Sequence, residues 1–484
     1  ERTTVDVARH VLDGWEDDLE GRWDDFSVGA HHAGAHVPVL QTMPKTSIAS
    51  DDDAQDYLER CRQVDTYLAQ ARERLRSGLA DDLTPPRRGV QATIRMLDGY
   101  LETSLDQDLL LEPVAGAGEE WRAQVADVIR DSVRPALAEH RAFLAEQVAP
   151  RARPDERSGI LHLPGGEERY RRALAHHTTT DMTPEEVHEL GRTIVDELED
   201  EYRELGGRVL GADDVQAIYE RLRDDEELRF DDADEVEAAA ERALRKAEDA
   251  VPDWFGRLPE APCEVRRVPE LEAPDTTIAY YMPPAEDGSR PGAYYINTYE
   301  PETRTRFEAE TLAFHESVPG HHLQIAIAQE LELPRVRRLA FVTAYIEGWA
   351  LYTERLCDEM GLYESDLSRL GMLSFDSWRA CRLVVDTGLH AMGWSRQEAI
   401  DYLDDNSPQA RNNIANEVDR YIAWPGQACA YMVGRREIRR LRADAQGRLG
   451  DDFDIRGFHD VVLTAGAVPL QVLASLVERW SPGG

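Results

Sequence analysis

Residues 313 to 324, AFHESVPGHHLQ, place three histidines and a glutamate within eight positions, 315 to 322. That is a donor set with metal chemistry in it. A hydrolytic zinc site needs three protein ligands, commonly two imidazoles and a carboxylate, with a fourth position open for water and a base beside it. In the His-Glu-x-x-His pattern both histidines lie on one helix face, and the glutamate reaches the water from the side. His315 and Glu316 supply the first half, but Pro319 stands where the second histidine belongs. On an unbroken helix His321 would lie about 240° round the axis from His315, facing away. His322 would lie at about 340°, facing back, but about 10 Å along the axis, too far for two ligands of one ion. Pro319 removes an amide from the helix ladder and Gly320 tolerates unusual dihedrals, so the stretch predicts a kink that folds the late histidines back toward His315. At this level either His321 or His322 can be the second ligand.

A carboxylate to complete the set is offered by TAYIEGWALYTERL, residues 343 to 356, where Glu347 stands alone in an apolar run. An acid in such company is buried, and a buried carboxylate must be paired, protonated or bound to metal. Gly348 beside it costs helix stability and allows a second backbone to come close. Glu354, two turns on, is a candidate to orient a ligand from behind.

The elements that must position these residues are mostly helical. Residues 1 to 148 carry apolar residues at three and four spacing. The stretch APRARPDERSGILHLPGG, 149 to 166, is the richest in turn residues and marks the boundary between an N-terminal helical region, 1–150, and a catalytic region, 151–484, the two forming separate units or one continuous body. Thr183, Pro184 and Glu186 read as a capped helix start. Between 263 and 298, CEVRRV, TTIAYYMPP and GAYYINT are short, β-branched and aromatic, predicting a small antiparallel sheet. From 301 onward helical patterning returns. The fold class is therefore α+β, predominantly α-helical.

Composition narrows the function. The chain has 484 residues, 94 of them acidic against 55 basic, for a net charge of -39, and Lys45 and Lys246 are the only lysines. Acid spread along nearly every helix fits a surface adapted to molar salt, where self-repulsion is screened. The same charge argues against nucleic acid, which needs a basic stripe. Five scattered cysteines without a C-x-x-C pair suggest neither a disulfide framework nor a thiolate zinc site. No apolar run reaches the length of a membrane span, so no membrane partner is expected and the cytoplasm is the expected compartment. Oligomeric state is not encoded in any of these patterns.

HESVPGHHLQ, with YIEGWALYTE (345–354), RLVVDTGLHAMGWS (382–395), RYIAWPGQACAYMVG (420–434) and FHDVVLTAGAVPLQVL (458–473), resembles the bacterial and archaeal family of unassigned function that shares an H-E-x-x-P-G-H-H-x-Q motif and is grouped with the zincin metallopeptidases. The likeness covers most of the chain. A more distant likeness is to the helical gluzincins, such as thimet oligopeptidase and angiotensin-converting enzyme, in which a glutamate ligand follows the second histidine by about 25 residues. Counting from His322 reaches Glu347, so the resemblance, with the helical azimuth, favours His322 over His321. It implies one zinc ion held by His315, His322 and Glu347, with Glu316 as general base. It also implies a Tyr or His donor to the oxyanion, for which Tyr431, with Gln427 one turn earlier, and His390 are the candidates. Arg382, Asp386 and His390 share a helical stripe that is either substrate-facing or a structural ion pair with a satisfied histidine. His459 reads as structural, and the basic run 435 to 442 as a solvated face. GAYYINT is expected to be the edge strand that pairs with a peptide substrate.

The expectation is a zincin-like zinc metallopeptidase cleaving short peptides. Its rivals are a metal-dependent amidase or deacylase of a small non-peptide amide, and a catalytically silent binding protein on the same fold. Loss of Glu316 would have favoured the silent protein, and Glu316 is present.

Overall fold

Stretches with apolar residues at three and four spacing become helices that bury the apolar side, and the computed structural model describes residues 1–29, 33–270, 273 and 277–481. The first helices are α1 (Arg2–Gly21), α2 (Asp51–Ala80), α3 (Arg87–Glu102), α4 (Glu119–Val128) and α5 (Arg134–Phe143). After them come α6 (Gly166–Thr178), α7 (Pro184–Val209), α8 (Val215–Asp224) and α9 (Ala233–Ala250). The strands are β1 (Cys263–Arg267), β2 (Ala279–Met282) and β3 (Gly292–Ile296). Helices then resume with α10 (Ala309–Glu316), α11 (His321–Glu330), α12 (Arg335–Leu339), α13 (Thr343–Glu359) and α14 (Asp366–His390). The chain closes with α15 (Arg396–Asn406), α16 (Arg411–Ala423), α17 (Ala430–Leu449), α18 (Ile455–Leu463) and α19 (Leu470–Arg479).

Two hydrophobic cores organise these elements. One gathers residues between Val28 and Ala152, Tyr57, Leu97 and Leu137 fully buried among them. The larger takes Val7, Phe26 and Leu83 and then runs from Ile160 to Val477. Helix α1 thus packs with the larger core and not with the helices that follow it in sequence. Helix α14 is the axis of that core, buried at every residue from Leu370 to His390. Such all-round burial is reserved for helices inside a body. The capping box that opens α7 forms as its sequence predicts, Thr183 and Glu186 each accepting from the other's backbone amide. The five cysteines are buried and free.

The sheet is mixed, not antiparallel as expected. β3 lies in the middle, paired parallel with β1 and antiparallel with β2. The reason is topological: β1 and β2 run in opposite senses, and the hairpin from β2 inserts β3 between them, parallel to the first strand. A central strand has no free edge, so GAYYINT does not hold the edge position; β2 does. The predicted second strand began at Thr276, which lies outside the described residues. Among the described residues no helix is long and apolar enough to cross a membrane.

Helices α13 and α17 cross at near backbone contact. A Cβ on Gly434 would stand 1.8 Å from the carbonyl oxygen of Ala344, and one on Gly348 would stand 2.5 Å from the Cα of Gly434. Gly434→Ala must push the helices apart, and is expected to lower unfolding free energy by about 1–3 kcal/mol. Urea melts in molar KCl measure this; a variant as stable as the parent would show that the two helices separate without cost.

Candidate metal centre

The HE stretch is a helix, a turn and a second helix. α10 ends at Glu316 and α11 begins at His321. Pro319 has no amide to continue the ladder, and its carbonyl accepts from Trp349 Nε1 at 3.0 Å. The amide of His322 returns to the Ser317 carbonyl at 3.0 Å, folding the turn onto the end of α10. Gly320 makes this approach feasible, because a Cβ there would lie 2.0 Å from the carbonyl oxygen of His315. The fold-back brings the rings of His315 and His321 to 4.7 Å, nearly perpendicular at 84°.

Helix α13 presents Glu347 to both imidazoles. Its Oε2 lies 3.5 Å from His321 Nε2 and 3.8 Å from His315 Nε2. One donor atom from each of the three residues falls within 4.8 Å of the others. Ligands about 2.0–2.1 Å from a tetrahedral ion sit about 3.3 Å apart, so the set is close to that spacing. Glu347 Oε2 is buried without a hydrogen-bond partner, an orphan that a cation would satisfy. Two imidazoles and a carboxylate are the ordinary donor set of a hydrolytic zinc, so these residues fit that ion.

Behind His315, Glu354 Oε1 accepts from Nδ1 at 2.8 Å, which fixes the tautomer and leaves Nε2 free to ligate. Burial alone would lower the His315 pKa, but Glu347 and Glu354 more than offset it and raise it to about 9. Burial works against the Glu347 carboxylate too, yet the facing imidazoles of His315 and His321 hold it well below the usual range.

His322, favoured from sequence, is not part of the cluster. Its Nε2 donates to the Ala261 carbonyl at 3.0 Å and its Nδ1 accepts from the Tyr281 hydroxyl at 2.9 Å. Burial lowers its pKa to about 4, so it stays a neutral structural bridge between α11 and β2. The helical azimuth failed because the turn at 317–320 ends one helix and restarts another, resetting the phase.

A cleft of about 430 Å³ opens over the cluster, lined by Glu316, Gln324 and Tyr431 as well as the three donors. Residues Ala279, Tyr280 and Tyr281 of β2 form one wall. Tyr431 stacks on the Arg382 guanidinium at 4.4 Å. Burial, with Glu347 adding to it, raises the Tyr431 pKa, so its hydroxyl stays protonated and able to donate. His390 does not reach the cleft. Its Nδ1 accepts from the Ile160 amide at 3.1 Å and its Nε2 donates to the Tyr421 carbonyl at 3.0 Å, leaving no nitrogen for an oxyanion.

The rest of the α14 stripe is structural as well. Arg382 donates to Tyr421 and Glu417, and Asp386 accepts from the Tyr170 hydroxyl and the Gly426 amide. His459 bridges Tyr352 and the Trp254 carbonyl. In the run 435 to 442, Arg435 is buried on Asp376, while Arg440 and Arg442 pair with acids at the surface.

Two buried polar residues near the cluster are absent from the candidate set above. Gln324 ends the motif and is buried with an unpartnered Oε1, one turn after His321. Tyr294 on β3 is buried with an unpartnered hydroxyl, and burial together with the Glu316 carboxylate holds its phenol well above the ordinary range. Gln324 could have been found by its helical spacing from His321; Tyr294 depends on strand placement.

A family model for bacterial proteins of unknown function, DUF885, matches residues 1–477. No curated protein matches the chain. Among solved structures, a candidate lipoprotein from Colwellia psychrerythraea is similar at 32% identity with a TM-score of 0.87, over 92% of this chain and 79% of that one. A candidate lipoprotein of unknown function from Shewanella oneidensis, 21% identical, shares the fold with a TM-score of 0.75 over 98% of this chain and 86% of its own.

Two expectations follow from the geometry. His321→Ala should abolish stoichiometric zinc uptake while His322→Gln retains it, as read by elemental analysis after dialysis; the opposite pattern would restore His322 as ligand. The second concerns Asp386, whose pKa burial lifts from 3.8 to about 7 despite the Tyr170 and Gly426 hydrogen bonds. Between those values the folded protein holds a proton that the unfolded chain releases. Its stabilisation is complete below pH 3.8 and is lost as pH rises through about 7. Asp386→Asn, whose carboxamide oxygen accepts the same bonds, should flatten the fall in Tm from about pH 5 to about pH 8. Parallel Tm curves for variant and parent would refute it.

Proposed function

The chain belongs to the DUF885 family of bacterial proteins of unknown function, and on that footing we propose that it is a zinc-dependent hydrolase of amide bonds, zincin-like in its site, acting on short peptides. The observation that carries this reading is the convergence of His315, His321 and Glu347 in a cleft that also holds Glu316. A zinc ion held there would supply Lewis acidity, polarising the scissile carbonyl and acidifying water.

The protein groups have separate tasks. Glu316, next to the first ligand in sequence and lining the cleft, accepts the proton of the attacking water and returns it to the leaving amine. Tyr431, protonated and fixed on Arg382, donates to the oxygen that gains charge, an interaction that can contribute about 3 kcal/mol. Glu354 holds His315 in the ligating tautomer. The cleft volume, about 430 Å³, suits a ligand of drug size and so a short peptide. β2, an outer strand in the cleft wall, offers backbone pairing to an extended peptide, which favours peptides over compact non-peptide amides.

Zinc-loaded protein in molar salt is expected to cleave members of a mixed short-peptide library. Glu316→Gln should keep the metal and lose about 10²–10⁴-fold or more in rate. Mass spectrometry of the library is the readout. A zinc-loaded parent that leaves every peptide and amide intact would remove the hydrolase reading.

A further inference from the structure

The cleft contains one guanidinium. Arg338 of α12 is the only Arg or Lys among the residues that line it. Its Nη1 donates to the Gln329 carbonyl at 3.2 Å and lies 3.6 Å from Glu286. Glu286 is held more closely by Arg335, at 3.0 Å. Both contacts use one nitrogen of a five-donor fork, and the side chain is 27% exposed. Among the described residues, its Nε and Nη2 make no contact of this kind.

The next residues in sequence are apolar and open to water. Leu339 is 43% and Phe341 59% exposed, and both line the same cleft with Ile325, Ala328 and Ile346. Large apolar side chains beside a concave polar site mark a surface that a ligand covers. In a chain of net charge -39 a carboxylate is repelled almost everywhere, and a half-buried guanidinium within the cleft, only loosely paired with Glu286, is where that repulsion is locally reversed.

Building on the hydrolase reading, we propose that the cleft takes short peptides by their free C-terminus: Arg338 pairs with the terminal carboxylate, and Leu339 and Phe341 cover an apolar C-terminal side chain. A planar fork suits a carboxylate bidentately, which an ammonium would not. One ligand in a cleft of about 430 Å³ touches both this wall and the metal cluster only if it is a few residues long.

The test uses the tripeptide Ala-Ala-Phe as free acid and as C-terminal carboxamide. Calorimetry measures binding to zinc-loaded Glu316→Gln protein, at the lowest KCl that keeps it folded, and the parent is assayed for cleavage of both peptides. The acid should bind about tenfold or more tighter than the amide, and Arg338→Met in the same background should bring the ratio close to one. Zinc content and thermal unfolding of Arg338→Met should stay at parental values, which separates lost recognition from lost fold. Replacing the terminal Phe by Gly should weaken the acid further. Equal binding of acid and amide, binding of neither, or a ratio that survives Arg338→Met overturns the assignment. Discrimination in binding without cleavage by the parent would sink the hydrolase reading and leave this one standing; equal cleavage of acid and amide would do the reverse.

Discussion

His315 is claimed at both ring nitrogens by carboxylates of a single buried helix. Glu354 takes Nδ1, while Glu347 faces Nε2, and the two acids stand two turns apart on α13. That arrangement requires α13 to be held in rotation and in depth. Gly348 and Gly434 set its depth against α17 by backbone contact. Its rotation is set by polar ties on successive turns: Tyr345 donates to the Val462 carbonyl, Trp349 to the Pro319 carbonyl, and Tyr352 meets His459. The Trp349 bond is the informative one, since it fastens the helix that carries Glu347 to the turn that delivers His321. That bond couples the placement of Glu347 to that of His321.

Buried charge near the centre is arranged to support this geometry. Asp376 is enclosed by Arg355 and Arg435, and Glu417 by Arg382 and Arg420. Buried ion pairs give little net stability, because desolvation cancels most of the attraction, but breaking one leaves an uncompensated charge. Their value here is positional. Arg382 is fixed by Glu417 and Tyr421, and Tyr431 lies on its face at the cleft wall. The histidine that sequence placed in this role, His390, serves the same layer by a different route, tying α14 to the Ile160 amide and the Tyr421 carbonyl.

Local signals in the sequence survived folding, and signals that assume continuity did not. The capping box at Thr183, the buried acid at Glu347, the small residue at Gly348 and the contact of Glu354 with His315 are each decided by a few neighbours, and each stands in the structure. The preference for His322 over His321 joined a family spacing to Glu347 with a helical azimuth carried across Pro319, and the turn breaks that phase. The sheet failed for a related reason: strand identity is local, but strand order is not. β3 has the burial of a central strand at Gly292, Ala293 and Tyr294, yet nothing within GAYYINT says that β1 will lie parallel beside it. Likewise α1 reads as the start of an N-terminal helical unit, and only its packing through Val7 shows that it joins the larger core.

The charge of the chain reaches the cleft at long range, and the buried cluster acts at short range. A net charge of -39 repels any anionic ligand over a distance set by the ionic strength. At about 0.15 M salt the Debye length is about 8 Å, so surface acids within that range act on a ligand before it docks. At about 1 M it is about 3 Å, and only groups in near contact still matter. Pairs inside the site, buried and poorly reached by ions, keep their strength at either concentration. High salt therefore strips away the unfavourable long-range field while leaving His315, His321, Glu347 and their immediate partners as they are. Burial of the cluster is what separates the two ranges.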